Sequence, residues 1–199
     1  MLIHSASQLI TLAGGPRRGT DPEDLAIIEN GALLVREERI VEVGESRALL
    51  EKYPHEEQLD ASGRVVMPGL VDPHTHLVWA GDRAAEFEAR LQGRTYMEIM
   101  AAGGGINATV RATRQATTEE LYAQTRRRAE AMFRNGTTTA EAKTGYGLTF
   151  DAEIAQLEVL LRLDAEGPLE IAPTFMAAHA VPPEYAGRVG EYTRLVSVD

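Results

Sequence analysis

The sequence predicts an α/β protein in which a β-rich segment, residues 1–66, precedes a region of alternating strands and helices. Up to Pro68-Gly69, short apolar runs are separated by turn residues, as in a small β domain. After that point strands and helices alternate with a period of ~30 residues, which is typical of right-handed βαβ units. This alternation favours either a barrel or a doubly wound parallel sheet.

The β-rich segment contains only short strand-forming runs, too few to close a sandwich alone. Gly14-Gly15-Pro16 ends the first run, and the polar residues 36–39 predict a hairpin tip between the third and fourth. Residues 48–53 predict one or two helical turns. The apolar runs are residues 9–12, 25–28, 32–35, 40–43 and 65–67.

The second region contains three helix signals and three strand-like runs. Capping boxes at Thr95 and Thr117 predict helices that end at Gly103 and at Asn135-Gly136, and Asp151 is a candidate cap for a third. The predicted parallel strands are residues 67–73, 137–143 and 170–177.

Composition excludes several classes of protein. Hydrophobic residues make up 44% and charged residues 25% of the 199-residue chain, as in ordinary globular domains. The net charge of −10 disfavours nucleic acid and anionic membranes as partners. The absence of cysteine excludes disulfides, thiolate zinc sites and cysteine nucleophiles, which fits a reducing cytoplasm. We found neither a membrane-spanning run nor a secretory leader pattern.

His74 and His76 are the strongest candidate metal ligands. Residues two apart in an extended strand point to the same side, so both imidazoles can reach one ion. Neutral imidazole suits zinc, iron, nickel or copper. The alternative is two loop histidines without a ligand, and the preceding Pro68-Gly69 strand entry favours the metal interpretation.

Residues 66–76 (VMPGLVDPHTH) resemble the first barrel strand of the metal-dependent amidohydrolase superfamily, and the hairpin of residues 29–44 resembles its small N-terminal sandwich domain. Five further motifs resemble the imidazolonepropionase family within it. These are residues 79–83 (WAGDR), 101–106 (AAGGGI), 110–114 (VRATR), 143–147 (KTGYG) and 178–185 (AHAVPPEY).

The resemblance implies a fold and a set of roles. Residues 1–66 would be the N-terminal part of the sandwich domain, and residues 67–199 the first three strands of a (β/α)8 TIM-like barrel. By the same resemblance His74 and His76 are ligands of one metal ion, zinc or iron. The substrate-binding residues implied are Arg83, Tyr146 and His179, with Tyr96 as a weaker candidate.

Each implied substrate residue has an ordinary alternative. Arg83 is one arginine in a polar loop, although its planar fork suits a carboxylate. Tyr146 can simply cap a glycine-rich turn, and a histidine after an apolar run, such as His179, is more often a satisfied core residue. We expect Arg126-Arg127-Arg128 to be a solvated helix face, and His4 to be exposed.

The resemblance implies hydrolysis of the cyclic amide of 4-imidazolone-5-propanoate to N-formimidoyl-L-glutamate in histidine degradation. It also implies a further histidine, a glutamate and an aspartate that we expect downstream of Asp199, so the isolated chain should be inactive. A full-length homodimer and a complementing C-terminal half are the partners expected. The alternatives are another cyclic amidase or deaminase, a non-catalytic truncated remnant, and a split enzyme.

Overall fold

The computed structural model describes residues 1–15 and 25–197, so Pro16 of the predicted turn and the last two residues lie outside it. The chain divides into two compact units, Met1–Pro68 and Gly69–Asp199. The division falls two residues after the boundary that the sequence predicts. None of the helices described combines the length and apolar composition needed to span a bilayer.

The first unit is a five-stranded sheet with one helix against it. The strand order is β3-β2-β1-β4, and β5 pairs with the same strand, β1, as β4 does. The β1–β2 and β2–β3 pairs are antiparallel, whereas β4 and β5 run parallel to β1. The elements are β1 (Leu2–Ile10), β2 (Ile27–Arg36), β3 (Arg39–Glu45), α1 (Ser46–Lys52), β4 (Gln58–Asp60) and β5 (Val65–Val66).

Alternation along β2 gives this sheet an apolar cluster on each face. Leu34 packs with Leu2 and Leu49 under α1, while its neighbour Leu33 packs with Leu9 on the opposite face. Successive side chains of a strand point to opposite faces, so both clusters follow from one apolar run.

The predicted hairpin between β2 and β3 is confirmed, with Arg36 paired to Arg39 across a two-residue turn. Glu37 and Glu38 both have positive φ, 48° and 61°, as a type I′ turn requires. The prediction of separate strands at 25–28 and 32–35 is wrong. The polar residues between them also pair with β1. This pairing uses only the backbone, and their side chains are exposed, so β2 continues through them as one strand.

The second unit is built on a three-stranded parallel sheet in the order β6-β7-β8. Ala140, Ala142 and Ile171 face a core completed by leucines of α5 and α6, such as Leu121 and Leu160. The elements are β6 (Leu70–Thr75), α2 (Ala84–Leu91), α3 (Tyr96–Ala101), α4 (Ile106–Gln115), α5 (Thr118–Arg134), β7 (Thr137–Lys143), α6 (Phe150–Glu166), β8 (Glu170–Thr174) and α7 (Val189–Ser197).

Both predicted capping boxes are present. Thr95 and Thr117 each accept a hydrogen bond from the backbone of a glutamate three residues on, and that glutamate binds back to the cap. The predicted cap at Asp151 is wrong: α6 begins at Phe150, with Thr149 at the cap position, and Asp151 lies in the first turn. Helices α2 and α4 were not predicted, because neither begins with a side-chain cap that the sequence would reveal.

Candidate active site

The side chains of His76, Tyr146 and His179 converge at the carboxyl ends of the three parallel strands. The ring centroid of His76 lies 4.6 Å from that of His179 and 5.0 Å from that of Tyr146. Tyr146 and His179 are 5.7 Å apart. In a barrel this edge of the sheet is where catalytic residues collect, so the topology alone brings three distant segments to one place.

The two candidate metal ligands lie at the end of β6. His74 is within the strand and His76 follows it directly, and their ring centroids are 6.1 Å apart. Burial is the main cause that lowers the pKa of His76, and the neighbouring His179 lowers it further. Both effects favour the neutral imidazole, which is the form that binds a metal.

The chemistry of these residues fits part of a metal site. The Nδ1 atom of His76 is buried, and nothing in the described part of the chain gives it a hydrogen bond. A buried ring nitrogen without a partner is costly unless a ligand satisfies it. Across residues 1–15 and 25–197, no group of three or more histidines or carboxylates is arranged to hold an ion. Among the described residues, His74 and His76 are therefore the candidate donors, fewer than a protein metal site uses.

The structure corrects the position of His179. The predicted strand over 170–177 would put it at a strand end, but β8 ends at Thr174 and His179 closes a one-turn 3-10 helix, Ala177–His179. Hydrogen bonds redirect the chain here, since the Met176 N–H donates to the Thr144 hydroxyl at 2.8 Å. The Tyr192 hydroxyl donates to the Ala177 carbonyl at 2.7 Å.

Arg83 and Tyr146 line one cavity of about 340 Å³. The remaining lining residues are Trp79, Asp82 and Thr109. A larger cavity of about 430 Å³ lies elsewhere in the unit, beside Phe150 and Phe175, and contains none of the predicted site residues. We assign the site to the smaller cavity because it combines a guanidinium with a phenol whose ring also contacts His76.

The guanidinium of Arg83 is held by Glu86 rather than free in a loop. Its Nε and Nη2 donate to one carboxylate oxygen at 2.8 and 2.5 Å, which raises the pKa of Arg83 and lowers that of Glu86. The second oxygen of Glu86 accepts from the Gly105 N–H at 2.8 Å. A guanidinium has five N–H donors, so this pairing leaves donors for a second carboxylate.

Other residues near the site were not predicted as functional. Glu141 of β7 accepts hydrogen bonds from Lys143 and from Thr174, at 2.7 Å in the latter case, and these lower the pKa of its carboxyl. Alternation along β7 provides the clue, because Glu141 and Lys143 lie on the face opposite the buried alanines. Tyr96, the weaker candidate, begins α3 with 53% of its surface exposed.

Two predictions of exposed side chains are wrong, one beside the site and one in the first unit. Arg128 does not belong to a solvated face: it is half-buried and its Nη1 donates to the Leu77 carbonyl at 3.0 Å. Its guanidinium carbon lies 3.5 Å from the ring centroid of Trp79. His4 is likewise half-buried rather than exposed, with its Nδ1 2.9 Å from the Ser5 hydroxyl.

Comparisons with solved structures define the class of fold. Aspergillus niger ochratoxinase matches 86% of this chain with a TM-score of 0.51 and 18% identity, over 30% of its own length. Escherichia coli guanine deaminase matches 86% with a TM-score of 0.50 and 20% identity, over 36% of its length. The fold is therefore part of a TIM-like barrel preceded by a small β domain, as the sequence predicts.

Sequence comparisons find relatives that share one name. A family model described as the bacterial imidazolonepropionase-like composite domain matches residues 31–55. The imidazolonepropionase of Chloroflexus aggregans is 54% identical over 98% of this chain and 46% of its own length. That of Symbiobacterium thermophilum is 50% identical over 98% and 47%. Over 98% of its length the chain is therefore similar to imidazolonepropionases, and it spans about half the length of these curated relatives.

Proposed function

We propose that this chain supplies part of the active site of an imidazolonepropionase, a metal-assisted hydrolase that opens the ring of 4-imidazolone-5-propanoate. The observation that carries the proposal is the convergence of His76, Tyr146 and His179 beside a cavity lined by Arg83. Sequence identity of 54% to a relative of that name supports the same substrate.

Different residues would bind the two ends of the substrate. The propanoate tail would take the N–H donors of Arg83 that Glu86 leaves available, since guanidinium binds a carboxylate through two parallel hydrogen bonds. The ring would lie against Tyr146 and His179, whose polar atoms orient the carbonyl. These contacts fix the reacting carbon near His76 and thereby reduce the entropic part of the barrier.

In the reaction, water adds to the ring carbonyl carbon, the carbon–nitrogen bond breaks, and the departing nitrogen takes a proton, giving N-formimidoyl-L-glutamate. His74 and His76 would hold the metal, zinc or iron, whose bound form supplies Lewis acidity and lowers the pKa of water. His179 is close enough to His76 to bind the carbonyl oxygen as charge develops. The acid–base carboxylates that the resemblance implies would come from a complementing segment or polypeptide.

The substrate class implies a step in histidine degradation in the cytoplasm. The complete enzyme would act as a homodimer. Neither nucleic acid nor a membrane is proposed as a partner, because the net charge of −10 opposes both.

Complementation tests the proposed activity directly. The 199-residue chain would be mixed with the segment of the C. aggregans relative that it does not match, and ring opening followed by loss of substrate absorbance. We expect no turnover from the chain alone and chelator-sensitive turnover from the mixture. Chelator-sensitive turnover by the chain alone would contradict the proposed division of the active site.

A second substrate and a control variant test whether Arg83 recognises the propanoate tail. An imidazolone without the propanoate tail should be turned over far more slowly, and Arg83→Ala should remove that preference. Arg90→Ala, which removes a neighbouring exposed arginine of α2, serves as the control. Equal turnover of both substrates would favour another cyclic amidase, and release of ammonia from an aminated ring would favour a deaminase.

A further inference from the structure

Two buried polar side chains of α6 are not used by the proposed chemistry. Glu153 and Gln156 are 1% and 0% exposed. One oxygen of Glu153 accepts hydrogen bonds from the backbone N–H groups of Gly147 at 2.8 Å and Leu148 at 2.7 Å. The Gln156 Oε1 accepts from the N–H of Tyr146 at 3.4 Å. Three consecutive backbone N–H groups of the loop after β7 are therefore bound by two side chains.

The same loop is held from its other side by α4. The Nε of Arg114 donates to the Gly147 carbonyl at 2.5 Å, and its Nη1 lies 2.8 Å from a carboxylate oxygen of Glu184. A Cβ on Gly147 would lie 2.7 Å from the Gln156 side chain, so the backbone packs directly against α6. Both polar groups of the Gly147 residue thus have side-chain partners from different helices.

The backbone after Gly147 adopts a conformation that needs such support. Leu148 has φ of 54°, in the left-handed region that a leucine rarely occupies. Its side chain is 1% exposed, and its N–H is one of the two groups bound to Glu153. Strained backbone of this kind persists where surrounding contacts determine it, and it is concentrated at functional sites.

The restrained loop carries Tyr146. Its ring reaches the rings of His76 and His179 and lines the cavity that contains Arg83. Because Tyr146, Gly147 and Leu148 are consecutive, the hydrogen bonds to α6 restrain the backbone from which that ring extends.

We propose that Glu153 and Gln156 are positioning residues that hold the Tyr146 phenol against the substrate ring, an inference that rests on the proposed function for its substrate class. The buried carboxylate of Glu153 is only half satisfied. Its second oxygen is buried and has no hydrogen-bond partner among the described residues. A buried carboxylate oxygen without a hydrogen bond costs free energy, which the two backbone hydrogen bonds of the other oxygen offset. Those two hydrogen bonds hold the loop in its orientation.

The ligand-free test uses NMR of the 199-residue chain. In the unmodified chain we expect nuclear Overhauser contacts between the ring protons of Tyr146 and those of His76 and His179. Glu153→Leu removes the acceptor and should abolish them, whereas Glu153→Gln keeps an oxygen in place and should restore them. Glu158→Leu, at an exposed position of the same helix, is the control.

Gln156→Met provides an independent variant. It keeps the side-chain volume but removes the acceptor of the Tyr146 N–H, and it carries the test if Glu153→Leu fails to fold. Unchanged ring contacts in either folded variant would overturn the proposal. This result does not depend on any ligand, so it stands apart from the proposed function.

A binding experiment then asks whether the two residues act through Tyr146. Trp79, the single tryptophan of the chain, lines the cavity and reports binding of 3-(imidazol-4-yl)propanoate by its fluorescence. We expect Glu153→Leu to weaken binding about tenfold, but to cause no further loss in a Tyr146→Ala background. Additive losses would overturn the positioning role. Absence of binding to the unmodified chain would count against the proposed function instead, leaving the ring contacts to decide the positioning role.

Discussion

The guanidinium of Arg128 stacks on the indole of Trp79, with 3.5 Å between the guanidinium carbon and the ring centroid. The contact joins α5 to the segment that follows His76, and the Arg128 hydrogen bond to the Leu77 carbonyl reinforces it. Burial lowers the pKa of Arg128 to about 10, so the side chain still carries its charge at neutral pH. One wall of the candidate cavity therefore depends on a residue of α5.

Replacing Arg128 should destabilise the second unit. We expect Arg128→Ala to lower the free energy of unfolding by about 1–3 kcal/mol, because it removes a cation–π contact and a hydrogen bond from a charged donor. Urea unfolding followed by Trp79 fluorescence measures the change. Arg127→Ala, which alters the exposed neighbour, should change it by less than about 0.5 kcal/mol. Equal effects of the two would contradict the stacking interpretation.

Gly145 should resist substitution for both backbone and packing reasons. It has φ of 119°, and an added Cβ would lie 2.7 Å from the Cβ of His179. Gly145→Ala should therefore cost about 2 kcal/mol or more and displace His179 from Tyr146. Thermal or urea unfolding measures the first effect and the ring contacts in NMR spectra measure the second.

Gly187→Ala separates the two causes of that loss. Gly187 has φ of 75°, but an added Cβ would have no neighbour within 4 Å, so only backbone strain should appear, about 1 kcal/mol. If both alanine variants lose the same stability, contact with His179 does not limit position 145.

The capping box of α5 should contribute measurably to stability. Thr117 accepts the Glu120 N–H at 3.2 Å, while Glu120 accepts the Thr117 N–H at 2.9 Å. We expect Thr117→Ala to reduce the free energy of unfolding by about 1 kcal/mol. Thr118→Ala, at the exposed first helical position, is the matched control and should change little. A loss as large at Thr118 would show that the cap is not responsible.

The first unit should lose stability in acid through Glu42. Its carboxylate accepts from the Tyr53 hydroxyl at 2.5 Å and from Lys52 at 2.9 Å, and both bonds lower the pKa of Glu42 from 4.5. A carboxyl with a lowered pKa in the folded state stabilises it above the unfolded value. That contribution is lost as the pH falls through the folded value.

Denaturant midpoints at a series of pH values from about 7 to about 3 measure this dependence. Glu42→Gln should flatten the acid limb below pH 4.5, whereas Glu38→Gln in the exposed hairpin turn should leave it unchanged. An acid limb that is identical in both variants and the unmodified chain would contradict the assignment to Glu42.

Much of the second unit was predictable because its signals are local. The capping boxes at Thr95 and Thr117 specify helix starts through side chains that bind backbone within three residues. The strand over 137–143 matches β7, since this threonine-rich run is bounded by turn residues on both sides. Asp151 was misplaced as a cap because a threonine two residues earlier occupies that position.

Features that depend on contacts between distant segments were not predictable. Whether Arg128 is solvated depends on Trp79, which lies 49 positions away in the chain. The continuity of β2 through its polar middle depends on the backbone of β1. The proposed roles of His74, Arg83, Tyr146 and His179 stay predictions, because they concern ligands rather than contacts within the chain.

By itself, the sequence determined the class of fold, the resemblance to one family and which side chains are chemically suited to the candidate site, because local patterning and motif identity carry that information. Only the tertiary structure decided that His76, Tyr146 and His179 share one edge, that Glu86 occupies one side of Arg83, and that Glu153 holds the loop of Tyr146. Those relationships arise from the pairing order of parallel strands and from helix packing. Both join residues that are far apart in the chain, so neither leaves a periodic pattern in the sequence.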